Sequence, residues 1–477
     1  MKYVALLKGR VVAGVVAFLF AFSGCSDSEP SQNEYVNEWI LANMEYFYYW
    51  IEDIPGKPNK AQSPDLFFNS LLSPEDRFSW IQDNYQELLN SLQGVNREAG
   101  YEFALYRESA SNENVIAQVM YIKPGSPAAG TALLRGDVIT QINGTTMTLS
   151  NYQSLLGQLS NNHTIRYSRC TDFETEIFED KGTLSLATTE FSENPNFMHE
   201  VFEMGDKKIG YYVYNFFATG PTSNSDQYNT EMDQIFADFK AAGITDLIVD
   251  LRFNSGGAES ATINLASLIG TGVTTADVFT IREYNELVTD EILNDPDLGQ
   301  EFLVKNFVTK TQNVGSMLSG NRVYILTKSR TASASELLIN GLKPYMDVFI
   351  IGDTTTGKNV GSISLYKEND ARNKWGMQPI VVKSFNKLNQ SNYSEGFIPN
   401  IPNNDNDLIL YPLGDPNENL LSIALAEITG TGGRIGVEDR KKRGKVIATS
   451  EDRKPWKFNL LIDDDRIKKL IPPEMLE

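Results

Sequence analysis

Three short segments hold residue types that can do covalent chemistry. Asp250-Leu251-Arg252-Phe253-Asn254-Ser255-Gly256-Gly257 closes an apolar run with paired glycines. Main-chain N–H groups there can approach a ligand without side-chain interference. Thr331-Ala332-Ser333-Ala334-Ser335-Glu336 stands between an apolar run and a helical pattern, and Thr356-Gly357-Lys358-Asn359 follows the next apolar run. A serine hydroxyl is a poor nucleophile until a base takes its proton. Lysine can be that base once its pKa falls from roughly 10.4 toward neutrality, as burial away from carboxylates makes it do. A helix N-terminus favours a developing alkoxide, and amide donors hold the oxyanion of a tetrahedral intermediate. Histidine is scarce. His163 and His199 are the only two, neither lies in an HExxH-type cluster, and Asn161-Asn162-His163 reads as a turn. No metal or other cofactor is implied.

The elements that must position these segments follow from the hydrophobic pattern. Ile209 to Tyr214, Leu247 to Leu251, Val323 to Thr327 and Val348 to Ile351 read as strands. Met232, Ile235, Phe236 and Phe239 share one helical face, and a further helix surrounds Leu337–Leu342. This alternation means α/β layers. Residues 34–95 look helical, with a dense aromatic run at Tyr46-Phe47-Tyr48-Tyr49-Trp50 that reads as core. Residues 96–187 are β-rich, with a strand over Val115–Ile122 and a hairpin signal at Ile142-Asn143-Gly144. Residues 188–199 read as a linker. The tail past Gly430, with Glu438-Asp439-Arg440-Lys441-Lys442-Arg443, reads as a solvated extension.

Two of these segments have other readings. Ser333-x-x-Glu336 is also a capping box, which needs no catalysis. Gly352-Asp353-Thr354-Thr355-Thr356-Gly357-Lys358-Asn359 nearly matches a nucleotide-binding P-loop. Asn359, however, replaces the magnesium-binding hydroxyl, and Gly361-Ser362-Ile363-Ser364-Leu365 alternates like a strand where a P-loop needs a helix.

Taken in order and spacing, the three segments resemble the carboxy-terminal processing peptidases, the tail-specific or tricorn-like serine peptidases. The resemblance covers about residues 96–430, including Gly396-Phe397-Ile398-Pro399-Asn400 and Leu413-Gly414-Asp415. It implies a ClpP/crotonase-like spiral α/β fold at 197–430, while the residue pattern itself reads as a small N-terminal helical domain at 34–95 and an extension at 431–477. It also implies Ser333 as nucleophile, Lys358 as general base, and the amides of Ala334 and Gly257 as oxyanion donors. Family members often carry a glutamine four residues after the lysine, where this chain has Ser362. The run KPGSPAAGTALLRGDVITQING resembles a PDZ domain of the bacterial protease type, at 96–187. A peptide strand adds beside such a domain's own strand. Gly100-Tyr101-Glu102-Phe103 is then the candidate substrate-binding loop. The activity implied is endoproteolysis through an acyl-enzyme. The alternative is a weak or inactive member that serves as a peptide-binding lipoprotein.

The chain ends bear on location. Lys2, Lys8 and Arg10 precede an apolar Val11–Phe22, too short to span a bilayer, so residues 1–24 read as an export signal. Phe22-Ser23-Gly24-Cys25 resembles a bacterial lipobox, which implies lipidation of Cys25, a tether over 25–33, and a protein anchored to the bacterial envelope, on the periplasmic face of the outer membrane or at the cell surface. Cys170 is the remaining cysteine and reads as packing. A length of 477 residues suggests two to four domains. A formal net charge of −20 repels phosphate and argues against nucleic acid as a partner. The expected partner is polypeptide.

Overall fold

The computed structural model of the chain describes residues 30–92, 95–222, 225–431, 440–453 and 460–470. The export signal and Cys25 lie outside these residues.

The apolar runs form a six-stranded sheet in the order Asn196–Met204, Lys207–Tyr214, Asp246–Asp250, Arg322–Thr327, Asp347–Gly352 and Ile401–Pro402. The first pair is antiparallel and the rest are parallel. Parallel strands need both faces covered. Ile209, Tyr211 and Val213 pack with Ile248, Leu326 and the helix Asn419–Thr429 on one face. Tyr212 and Tyr214 alternate to the other, against the helices Gln227–Ala242, Glu259–Ile269 and Ala334–Leu342. Every residue of Ala334–Leu342 is buried. A second sheet runs Gly257–Ala258, Leu460–Leu461, Val360–Ser362, Ile380–Phe385, Val278–Tyr284 and Val304–Asn306.

Helices Gln32–Phe47 and Pro64–Ser70 bury Val36, Ile40, Met44, Phe47, Phe67 and Phe68 in the same core cluster as the sheet helices. Trp80–Gln82 then pairs antiparallel with Gly376–Gln378. The N-terminal segment is thus a wall of the α/β core. Of the aromatic run read as core, Phe47 and Tyr48 are buried in it, while Tyr46 and Trp50 pack against it partly exposed.

Residues 95–186 fold as a module with its own apolar cluster. Tyr101–Arg107, Val115–Ile122, Val138–Ile142, His163–Asp172 and Ile177–Leu186 are neighbours in one sheet. Arg135 ties this module to the core, donating to Tyr411 O at 2.8 Å and pairing with Glu418 at 3.2 Å. Glu418 also pairs with Arg252, which is fully buried and pairs with Asp250 at 2.8 Å and Asp405 at 3.2 Å. Removing either member of such a cluster leaves an uncompensated buried charge.

Three expectations need correction. The stretch read as a linker, 188–199, holds the strand Thr189–Ser192 and the start of Asn196–Met204. His163 is a buried strand residue whose Nε2 lies 3.0 Å from the Tyr101 hydroxyl. The tail read as solvated is docked. Val446–Thr449 pairs with Tyr101–Arg107, and Leu460–Leu461 joins the second sheet. The charged run 438–443 masked the apolar Val446-Ile447-Ala448 behind it, and two of its cations, Arg440 and Lys442, are drawn to Asp407.

Candidate active site

Ser333 stands where the chain turns from the strand Arg322–Thr327 into the helix Ala334–Leu342. Its backbone has φ +62° and ψ −112°, a conformation that costs a non-glycine residue about 1–3 kcal/mol. The residue is fully buried, and its hydroxyl has no hydrogen-bond partner among the described residues. The capping box read from sequence is present as an arrangement, but only its glutamate half makes a hydrogen bond of ordinary geometry. Glu336 accepts from Ser333 N–H at 2.8 Å, whereas the serine hydroxyl lies at the first turn without a hydrogen bond. Ser335 differs, because its hydroxyl donates to Asn254 O at 3.1 Å. Ala334 opens the helix, where N–H groups have no intrahelical acceptor.

The loop Asn254–Gly257 lies beside this turn. Ala332 N donates to Asn254 O at 3.3 Å, and the Asn254 side chain accepts from Gly256 N–H at 3.0 Å. Gly257 has φ +134°, and a Cβ there would lie 2.0 Å from Phe217 O. Only glycine brings that N–H to this place.

Lys358 is buried on the loop after Asp347–Gly352. Burial pulls its amine down to about 7, against smaller opposing pulls from Asp76 and Glu336. Its Nζ lies 4.9 Å from the Phe78 ring centroid. Arg77 donates to Gly357 O at 2.9 Å and Ser394 O at 3.0 Å, which fixes the loop from the N-terminal segment. No helix follows the lysine. Val360–Ser362 is a strand, which removes the P-loop geometry.

Glu336 joins the two halves. Its Oε2 accepts from Ser333 N and Lys358 N, and its Oε1 accepts from Thr355 Oγ1 at 2.6 Å and Gly357 N at 2.7 Å. Burial pushes this carboxyl's pKa up, while the donors pull it back. Ser362 is buried on the strand after Lys358 and donates to Gln378 Oε1 at 2.6 Å.

The structure thus gathers Ser333, Ala334, Gly257, Lys358 and Ser362 around one turn, one loop and one strand. Sequence reading missed Glu336 as a clamp, Arg77 and Phe78 as a wall, and Gln378. The only signal for the wall was charge and aromatics side by side in Asp76-Arg77-Phe78. Gly100, Tyr101, Glu102 and Phe103 sit in the β-rich module. Gly100, Tyr101 and Phe103 line a cavity of about 190 Å³ with Leu159, Ser160 and Ser450. Glu102 lies 2.9 Å from Lys123 Nζ and meets the Ser450 hydroxyl. Cys170 donates to Asp172 O and is half-buried.

Such an arrangement can carry acyl transfer: a hydroxyl at a helix N-terminus, an amine held near neutrality, and N–H groups at two sides. The profile of peptidase family S41 matches residues 208–401, and that of the S41 N-terminal domain matches 35–80. The fold is similar to the crystal structure of an S41 protease from Bacteroides fragilis, with TM-score 0.68 and 26% identity over 82% of this chain and 97% of that one. A chloroplastic C-terminal processing peptidase of Tetradesmus obliquus is 25% identical over 290 residues, 57% of this chain. The match spans 52% of that relative, about half its length.

Proposed function

We propose that this chain, which belongs to peptidase family S41, is an endopeptidase that cuts exported polypeptides or their C-terminal tails with a Ser333–Lys358 pair. One observation carries the reading. A buried hydroxyl at a helix N-terminus, without a partner among the described residues, is held with a buried lysine that titrates near 7. The neutral Nζ of Lys358 takes the Ser333 proton as Oγ attacks the scissile carbonyl carbon. The N–H groups of Ala334 and Gly257 receive the oxyanion. Collapse breaks the C–N bond, and the Lys358 ammonium returns its proton to the leaving amine. Water, deprotonated by the same lysine, then releases the acyl group as a carboxylic acid product and restores Ser333. Ser362, bonded to Gln378, orients the base strand in the place of the family's usual glutamine.

The module at 95–186 is read as PDZ-like, with Gly100–Phe103 receiving the substrate's C-terminal end. Lipidation of Cys25 anchors the protein to the bacterial envelope. A catalytically weak peptide-binding lipoprotein is the second reading, favoured by Ser362 at the glutamine position. A fluorophosphonate probe on the purified chain separates the two. The proposal expects one adduct, located by mass spectrometry on Ser333 and absent from Ser333→Ala. An adduct on Ser335, or none at all, overturns it.

A further inference from the structure

The C-terminal segment adds a strand to the molecule at two places. Val446–Thr449 runs antiparallel to Tyr101–Arg107, with Val446 opposite Tyr106, Ala448 opposite Leu105 and Thr449 opposite Ala104. The tail therefore travels toward Gly100 at the start of that strand, where Tyr101, Glu102 and Phe103 are strand residues and not the loop expected from sequence. Ile447 and Ala448 pack against the apolar cluster of the β-rich module. Beyond the paired residues, Ser450 Oγ accepts from Phe103 N–H at 2.9 Å. Asp452 pairs with Arg330, three residues before Ser333.

The second contact lies at the chemistry. Leu460–Leu461 runs parallel to Gly257–Ala258 on one side, and Leu461 stands opposite Ser362 on the other. Ile462 N–H donates to Ser362 O at 3.0 Å. A strand of the chain itself thus lies between the candidate oxyanion glycine and the strand that follows the candidate base. An extended peptide presented to Ser333 needs backbone partners on these same edges.

Both attachments are slight. One strand has four residues and the other two, and Val446 is exposed. A cavity of about 320 Å³, lined by Val446, Thr449, Arg252, Phe253, Lys328 and Arg330, separates the first strand from the core. Beyond them, Ile467 and Leu470 are buried in the main core cluster and hold the end in place. Tethering at both ends gives short strands a high local concentration without tight intrinsic binding.

We propose that the edge of Tyr101–Arg107 and the gap between Gly257–Ala258 and Val360–Ser362 form one docking track for an extended polypeptide. The chain's own strands Val446–Thr449 and Leu460–Leu461 occupy that track until an incoming strand displaces them. The first strand leads toward Gly100, and the second lies beside Gly257. This rests on the peptidase reading above.

The test uses the Ser333→Ala background, so that no cleavage intervenes. The probe is a fluorescein-labelled peptide with the sequence of residues 445–463, read by anisotropy. It is titrated against the full chain, the chain ending at Gly444, and the full chain with Ser450→Glu and Asp452→Arg. Those substitutions set like charges against Glu102 and Arg330, and they keep the core-anchored end if the truncation fails to fold. The double variant is expected to bind at least about tenfold more tightly than the full chain, because the Tyr101–Arg107 edge of its track is open. Equal affinity for the full chain and a folded double variant overturns the proposal. With Ser333 restored, casein hydrolysis is measured on the same proteins. Tighter binding with no hydrolysis in any of them leaves the track standing and removes the peptidase reading. Hydrolysis with unchanged binding removes the track alone.

Discussion

The backbone N–H groups of Ser333 and Lys358 donate to the same oxygen, Glu336 Oε2, each at 2.8 Å. The two residues lie 25 positions apart in sequence, yet one carboxylate fixes their main chains against each other. Neither functional side chain is used in the clamp. Nucleophile and base are placed by the backbone, and small errors in such placement cost large factors in rate.

Glu336→Gln tests that clamp. A glutamine amide must turn its NH₂ either toward the Ser333 and Lys358 N–H groups or toward the Gly357 N–H and the Thr355 hydroxyl, leaving at least one N–H without an acceptor. The expected loss is about 2–4 kcal/mol in stability and roughly tenfold or more in acylation rate. Denaturant unfolding beside fluorophosphonate labelling reads both. A rate unchanged per folded molecule would show that the clamp does not position the pair.

Phe78→Ala tests the wall. Opening one side of Lys358 to water weakens the desolvation that lowers its amine to about 7. The midpoint of the pH–rate curve should rise by about one unit. Activity is then lost near pH 7 and regained near pH 9. A uniform loss at every pH would assign Phe78 to packing alone.

Lys358→Met tests the same pKa through stability. The folded amine ionises near 7 and the unfolded one near roughly 10.4. Below pH 7 both states are protonated, and the folded protein carries the full cost of a buried ammonium. Between the two values the unfolded state binds more protons, so wild-type stability rises with pH. Lys358→Met should therefore stabilise most at pH 6, by up to about 4 kcal/mol, and much less by pH 9.5. Thermal unfolding at the two pH values decides it. An equal gain at both would mean that the lysine titrates normally.

Gly257→Ala tests the oxyanion contact. The new Cβ meets the Phe217 carbonyl at 2.0 Å, at a φ that favours glycine. The loop must shift and take its N–H with it. A fall of about 100-fold in acylation rate is expected. Full activity in the folded variant would exclude Gly257 as a donor.

The layered α/β pattern was legible because buried parallel strands read as unbroken apolar runs and Met232–Phe239 kept a clean helical period. Ser333 was legible because a strand, a small polar turn and a helix follow one another within a few residues, and Lys358 because it closes the next such unit. What escaped was contact across sequence. Glu336 reads as a local cap, although its acceptors serve Thr355, Gly357 and Lys358. Arg77 reaches Gly357 from 280 positions away, which no spacing encodes. Gln378 faces Ser362 only because it stands just before the strand Ile380–Phe385, which pairs with Val360–Ser362. His163 looked like a turn because two asparagines precede it. Val446–Thr449 looked solvated because its charged neighbours outweighed three apolar residues in the reading of the tail.

The central claim is that Lys358 takes the proton from Ser333. Its most direct measure is the pH dependence of fluorophosphonate acylation in the wild type beside Lys358→Arg. The wild-type rate should rise along a single ionisation near pH 7, where burial places the amine. Lys358→Arg keeps the charge but cannot give up its proton, and should show no acylation across the range. Acylation of the arginine variant at a rate near wild type would mean that another group takes the proton, and the Ser–Lys account would be wrong.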